Sequence, residues 1–344
     1  MTSRVDFGCF QNQGARQRQE DYFATSDPSP EVIASHQGFL MVVADGMGGH
    51  SDGSLASLTA VTTFLEEYGQ KREAEGIPEA LQRSLLQANQ ALLVAIRKMA
   101  DESDMGTTLV AAVVQGGLLY WVSVGDSRLY RFRNGRLEMI NEEHSFGAEL
   151  DAQLAAGQIS AGEAQAQANK RHMLTSYLGI PRIPKISLSR VPLDLRAGDQ
   201  ILLCTDGLNT LSEAEIQYCL GQPAAAQEKC DAMGQMVLDK RKRRQDNVTI
   251  VLLEAGPAAL AAQSGQRSGL PLPPLWGWGG WAALSLLVVA AAAAAFFWWP
   301  RGAPSLKEAP ARLAAGSDLK AAAGKTQPAP APPAPKAQPQ AADP

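Results

Sequence analysis

FLMVVADGMGG (39–49) is the stretch from which the rest of the chain reads. It is an apolar strand that stops at an acidic, glycine-rich turn. The same form returns in DQILLCTDG (199–207), where a strand runs into Asp206-Gly207, and NVTIVLLE (247–254) is a closing strand preceded by Asp246. Between them lie TTLVAAVV (107–114), LLYWVSVGD (118–126) and RLYRFRNG (128–135), with Asn134-Gly135 as a hairpin turn before RLEMI. Helical patterns cover 52–68 and 78–100. In the second, Ala80, Leu81, Leu85, Ala88, Leu92 and Ile96 recur at helix spacing, and Pro78 fits a helix start. Residues 149–170, rich in Ala, Gln and Gly without a firm apolar stripe, read as a mobile, partly helical insert. Strands outnumber helices and cluster in hairpins, so an α+β fold with antiparallel sheets and helices packed outside is expected.

Composition bounds the alternatives. A chain of 344 residues with 45% apolar content can build a real core. Net charge is −4, from 31 basic and 35 acidic residues, and gives no reason to expect nucleic-acid binding. Cysteines 9, 204, 219 and 230 form no C-x-x-C pair and suit neither a disulfide scaffold nor a zinc knuckle. Cys9 and Arg16 have the wrong spacing for C-x5-R, which disfavours a cysteine phosphatase. The opening residues hold no apolar run, so no cleaved signal peptide is expected.

Four regions are expected: a folded domain over 1–254, a linker over 255–274, a transmembrane helix over 275–299 and a Pro/Ala-rich tail over 300–344. Ser268 to Pro300 carry no charge. At roughly 1.5 Å per residue, LWGWGGWAALSLLVVAAAAAAFFWW (275–299) spans a bilayer core, with tryptophans at both ends as an interfacial belt. The plainer reading is a buried soluble helix. Ten prolines in the tail point to an extended, unfolded segment. Arg301, Lys307 and Arg312 would pull that tail inside, whereas a large domain without an export signal stays in the cytoplasm. The favoured arrangement is a single-pass inner-membrane protein with its folded domain cytoplasmic.

Asp45, Asp206 and Asp246 stand where strands end or begin, and Asp126 ends a fourth strand. Each Asp-Gly taken alone is more often a turn. Strand-end carboxylates can converge at one edge of a sheet core, however, and with a backbone carbonyl they suit hard Mg2+ or Mn2+. Such carboxylates would repel one another unless a cation compensated them.

The ordered motifs carry a resemblance. QGARQRQED (13–21), ADGMGGH (44–50), MGTT (105–108), VGDSRLY (124–130), LTSYLG (174–179), LLCTDGL (202–208) and QDNVT (245–249) resemble, in order, the metal-dependent serine/threonine protein phosphatases of the PP2C family. The resemblance implies a four-layer α-β-β-α sandwich of two antiparallel sheets flanked by helices, with two Mn2+ or Mg2+ ions and a third position. It implies that Asp45 bridges the two metals, that the Gly46 carbonyl and Glu20 serve one, and that Asp206 and Asp246 serve the other. Asp21 would hold metal-bound waters, Asp126 with Asp206 would form the third site, and Arg16 would grip the substrate phosphate. The implied reaction is hydrolysis of phosphoserine and phosphothreonine in proteins by a metal-activated water, opposing Ser/Thr kinases at the membrane.

Three positions depart from the family pattern. Met47 stands where eukaryotic members carry a histidine proposed as general acid, so no side chain receives that role. Gln19 replaces the usual Asn before Glu20-Asp21, and Ser176 replaces the commoner arginine of LTSYLG, with a change in substrate fit as the expected effect. Residues 147–170 match the flap bordering the family's active site. KRKRR (240–244) is a solvated charge run or a docking patch for acidic or phosphorylated segments; His50, after Gly49, reads as a polar loop histidine with a place at the metal edge as the alternative, and His36, His144 and His172 carry no stronger claim. Two other readings stand beside the main one: a phosphatase acting on a partner in a switching pathway, and a non-catalytic membrane-tethered scaffold with a vestigial phosphatase fold.

Overall fold

In chain order the first elements are β1 (Asp6–Asn12), β2 (Asp21–Thr25), α1 (Pro30–Ala34), β3 (Phe39–Met47), α2 (Asp52–Gly69) and α3 (Ile77–Lys98). A run of short strands follows: β4 (Gly106–Thr107), β5 (Leu109–Gln115), β6 (Leu118–Val124), β7 (Arg128–Arg133) and β8 (Arg136–Met139). The rest are α4 (Phe146–Ala155), α5 (Ala161–Ala166), β9 (Ser187–Leu188), β10 (Leu193–Asp194), β11 (Gln200–Cys204), α6 (Glu213–Leu220), α7 (Ala226–Asp239) and β12 (Val248–Glu254). The structure, a computed structural model, describes residues 6–48, 52–99 and 105–256. The linker beyond 256, the proposed membrane span 275–299, the tail 300–344 and His50 lie outside the described residues. Among the described residues no helix is long and apolar enough to cross a membrane.

All ladders are antiparallel. One sheet has the order β1-β12-β11-β7-β8; the other runs β10-β6-β5-β3-β2, with β4 on β3 and β9 on β6. The period-two geometry of β3 explains its unbroken apolar run. Phe39, Met41 and Val43 point between the sheets, where they meet Val110, Leu129, Ile201, Leu203, Val251 and Leu253. Leu40, Val42 and Ala44 point the other way, toward Ala60, Phe64, Leu81, Leu85 and Leu92 on α2 and α3. On the outer face of the other sheet, Leu202, Cys204, Ile250 and Leu252 pack against Ile216 of α6 and Cys230, Met233 and Val237 of α7. These layers form the expected α-β-β-α sandwich.

Some boundaries shift for physical reasons. β3 does not stop at Asp45 but continues to Met47, because Gly46 and Met47 pair with Thr107 and Gly106. The expected strand 107–114 is broken at Thr108, whose N–H donates to the Asp45 carbonyl (2.9 Å) and whose Oγ1 accepts from Asp45 N (2.9 Å). Asn134 (φ 52°) and Gly135 (φ 78°) make the two-residue turn between β7 and β8. The insert is helical, as α4 and α5, but buries little beyond Gly147, Leu150 and Ala164, in keeping with its missing stripe. Its base is pinned by Phe146 N to Met173 O (2.8 Å) and Thr175 N to His144 O (2.9 Å).

Candidate metal centre

Asp21 opens β2 and sits directly opposite Asp45 in the β2–β3 register. Two like charges so placed are unfavourable unless something compensates them. Asp206 follows β11 and Asp246 precedes β12, the neighbouring antiparallel strand, so both reach the same end of the other sheet. Asp126 lies in the turn after β6. A cavity of about 370 Å³ opens at this end, lined by Arg16, Glu20, Asp45, Gly46, Met47, Gly48, Thr108, Asp126, His172, Leu174, Asp206, Asp246 and Asn247. Seven of the eight residues singled out in the sequence line it. The eighth, Asp21, is buried beside it with only 3% exposure.

Backbone geometry sets these groups closely. A Cβ on Gly46 would lie 1.9 Å from the Gly53 carbonyl oxygen and 2.6 Å from that of Glu20, so only glycine fits there. The Asp45 carbonyl also accepts from Thr107 Oγ1 (2.8 Å). Asp21 Oδ2 accepts from Thr205 Oγ1 and Thr249 Oγ1, each at 2.8 Å.

The electrostatics are those of an uncompensated acidic cluster. Burial, with the charges of Asp21, Asp206, Asp126 and Asp246, holds the Asp45 carboxyl well above the usual carboxylate range. Burial pushes Asp21 and Asp126 up to about 7 and Asp206 to about 6, with neighbouring aspartates adding to each. Burial raises Glu20 as well. Among the described residues, Asp21 Oδ1 and Asp206 Oδ1 are buried without a hydrogen-bond partner. Among the described residues no three acidic, His or Cys side chains close on one point as a finished coordination sphere would. The same carboxylates nevertheless share one cavity, and their orphan oxygens and raised pKa values mark the positive charge they lack. An all-oxygen donor set of this kind fits a hard divalent cation.

Among the described residues Arg16 is the cation paired with these carboxylates, through Nη2 with Asp246 Oδ2. Met47 lines the cavity. Gln19 Oε1 accepts from Asp21 N (3.2 Å). Ser176 lies elsewhere: it is buried and donates to Lys185 O (2.6 Å), so its effect on substrate fit is not a direct one. Cys9 is half-buried and its thiol is pushed up by burial, the opposite of a nucleophilic thiolate.

Two residues escaped the sequence reading. His172, taken there as an ordinary histidine, lines the cavity from the end of the insert. Asn247 ties the segment carrying Arg16 and Glu20 to the end of β12. Its Nδ2 donates to Gln13 O (2.8 Å) and Arg18 O (2.9 Å), and its Oδ1 accepts from Glu20 N (2.7 Å). Its place in QDNVT was the available signal. Asn247→Ala is expected to weaken Mn2+ binding by about 10–100-fold, as loss of outer-shell support does, and to cost about 1–3 kcal/mol of stability. Calorimetric titration and urea unfolding read the two effects; unchanged metal affinity would remove the positioning role.

The chain is similar to known phosphatases in sequence and fold. Residues 13–245 match the family model "Protein phosphatase 2C". The serine/threonine phosphatase stp of Listeria innocua is 32% identical over 219 residues, covering 62% of this chain and 84% of that protein. The crystal structure of the Mycobacterium tuberculosis serine/threonine phosphatase PstP/Ppp superposes with a TM-score of 0.60 at 27% identity, over 74% of this chain and 100% of that one. A structure of the PstP catalytic domain in complex with 2 manganese ions gives 0.58 at 27% identity, over 74% and 99%. With the family model spanning most of the sandwich, the chain belongs to the protein phosphatase 2C family, the metal-dependent serine/threonine protein phosphatases, in its bacterial form.

Proposed function

We propose that the cavity hydrolyses phosphoserine and phosphothreonine in proteins, with Asp45, Glu20 and the Gly46 carbonyl holding one divalent ion and Asp45, Asp206 and Asp246 a second. Asp126 with Asp206 offers a third position. The observation that carries this is the gathering of distant carboxylates around one cavity without the charge to balance them. Bound Mn2+ or Mg2+ would supply that charge and lower the pKa of water at the phosphorus.

The remaining roles belong to the chain itself. Asp21, held by Thr205 and Thr249 beside the cavity, would orient water bound by the metal ions. Arg16 takes the phosphate: its guanidinium is engaged by Asp246, and a ligand role for Asp246 would free it for bidentate contact with two phosphoryl oxygens. His172, at the cavity wall, gives a proton to the departing serine or threonine oxygen. His172→Gln should then lower kcat on a phosphothreonine peptide by about a hundredfold. On p-nitrophenyl phosphate, whose leaving phenolate needs no proton, the rate should barely change. Equal losses on both substrates would remove that role.

The substrates are products of Ser/Thr kinases, and residues 275–299 tether the enzyme to the inner membrane with its domain on the cytoplasmic side. The charge-free length and aromatic ends of that stretch support the tether. The full chain should then stay with membranes through a carbonate wash and leave only in detergent. Release by carbonate alone would count against it.

A further inference from the structure

Two loops from opposite ends of the domain meet at the rim of the cavity. Ala15 N donates to Gln245 O (2.9 Å), and Gly14, at φ +62°, packs so tightly that a Cβ would lie 2.3 Å from the Asp246 carbonyl oxygen. Asn247 bonds to Gln13 and Arg18 on the first loop. On the second, Gln245 N donates to Lys242 O (3.1 Å), and Arg241 turns the chain off α7 at φ 47°, a left-handed conformation costly for a residue with a side chain.

These contacts hold the loop carrying Arg16 and Arg18 against Gln245–Asn247, the segment that directly follows Lys240, Arg241, Lys242, Arg243 and Arg244. Neither 13–18 nor 240–245 contains an acid. Among the described residues the only ion pairs of this group are Arg16–Asp246 and Lys240–Glu215, the latter at 2.7 Å. Arg18, Arg241, Lys242, Arg243 and Arg244 are exposed; Arg18 lies near enough to Glu20 to pull that carboxyl down. Cations at the C-terminus of α7 would be favourable for the helix alone, but that effect fades within a turn and leaves Arg243 and Arg244 unexplained. A second hollow of about 400 Å³, lined by Arg16, Gln17, Arg18, Glu20 and Gly48, shares Arg16, Glu20 and Gly48 with the metal cavity. It extends the metal cavity past Arg16 to Arg18.

The geometry points to a docking surface for anionic flanks of the substrate: segments whose phosphoserine or phosphothreonine is neighboured by aspartate, glutamate or a further phosphate. This rests on the phosphatase reading and names the substrate class it selects. Exposed charges contribute modestly one by one, so several must act together, and their effect must fall with salt.

The test uses the full chain with Mn2+ and two phosphothreonine peptides of equal length, one flanked by neutral residues and one by acidic residues. At low salt, kcat/KM should favour the acidic peptide by about tenfold, chiefly through KM, and the preference should shrink at high salt. The combined variant Lys242→Gln, Arg243→Gln, Arg244→Gln should lose the preference while keeping the neutral-peptide rate. Equal rates on the two peptides, or a preference that survives in the variant, would overturn the docking surface and leave the phosphatase reading intact. If neither peptide is hydrolysed, the phosphatase reading fails. Fluorescence anisotropy of the labelled acidic peptide then decides the docking surface alone: binding must weaken in the triple variant. A variant that loses only binding to anionic lipid vesicles, with peptide preference unchanged, would assign the rim to a membrane surface and overturn the proposal.

Discussion

Asp45→Asn is expected to abolish turnover while making the metal-free protein more stable. Asp45 faces Asp21 across the β2–β3 ladder and feels the charges of Asp206, Asp126 and Asp246. Without a cation, each additional negative charge here is unfavourable, so a neutral amide of the same shape removes repulsion. The gain should be about 1 kcal/mol or more, the usual direction when a functional carboxylate is neutralised. Turnover should fall by about a thousandfold or more, beyond the roughly 10–100-fold loss seen for outer-shell partners, because a proposed shared ligand is gone. Urea unfolding in chelator and phosphate release in Mn2+ measure the two. A variant that is inactive but also less stable would point to a structural role for Asp45 instead.

The second large effect is on pH. Burial pushes Asp21 and Asp126 up to about 7 and Asp206 to about 6 in the folded protein, against an ordinary 3.8. A carboxyl whose folded pKa is raised keeps a proton that the unfolded chain releases, so the folded state binds more protons between about pH 4 and pH 7. Stability of the metal-free protein is therefore highest at the acid end of that window and declines as pH rises through it. Ion-paired carboxylates such as Glu75, Glu149 and Glu215 have lowered values and act below that window. His144, whose imidazole burial holds down, opposes the trend within it, one group against the cluster. Divalent ions reverse the slope: they require deprotonated ligands, bind better as pH rises, and add about 2.7 kcal/mol at a hundredfold excess over Kd. In chelator, Tm should be higher near about pH 5 than near about pH 8; with Mn2+ the order should invert. Parallel pH profiles with and without the ion would contradict the cluster as a metal site.

How far the chain could be read in advance follows from what each signal depends on. The layered fold was visible because β3, β6, β11 and β12 carry apolar runs and α3 carries a clean stripe with Pro78 at its start. The pairing of β1 with β12 was not, since nothing local marks the first strand as the neighbour of the last. That pairing sets the Gln13–Glu20 segment beside Asp246, and so hides both the Asn247 bolt and the Arg16–Asp246 contact from any reading of spacing. Asp126, Asp206 and Asp246 were legible because each borders a strand, and Asp45 because its apolar strand runs into an acidic, glycine-rich turn; Glu20 and Asp21 came only with the family resemblance. His172 was not, since its meaning depends on how the insert returns across the cavity. Thr205 and Thr249 carry no charge to draw notice, yet they fix Asp21.

The most direct test of the central claim is phosphate release from a phosphothreonine peptide by the full chain, with Mn2+, with Mg2+ and with chelator. Turnover should appear with either ion, stop in chelator and return when the ion is restored. A folded chain that binds the ion without releasing phosphate, or one that keeps its activity in chelator, would contradict the account.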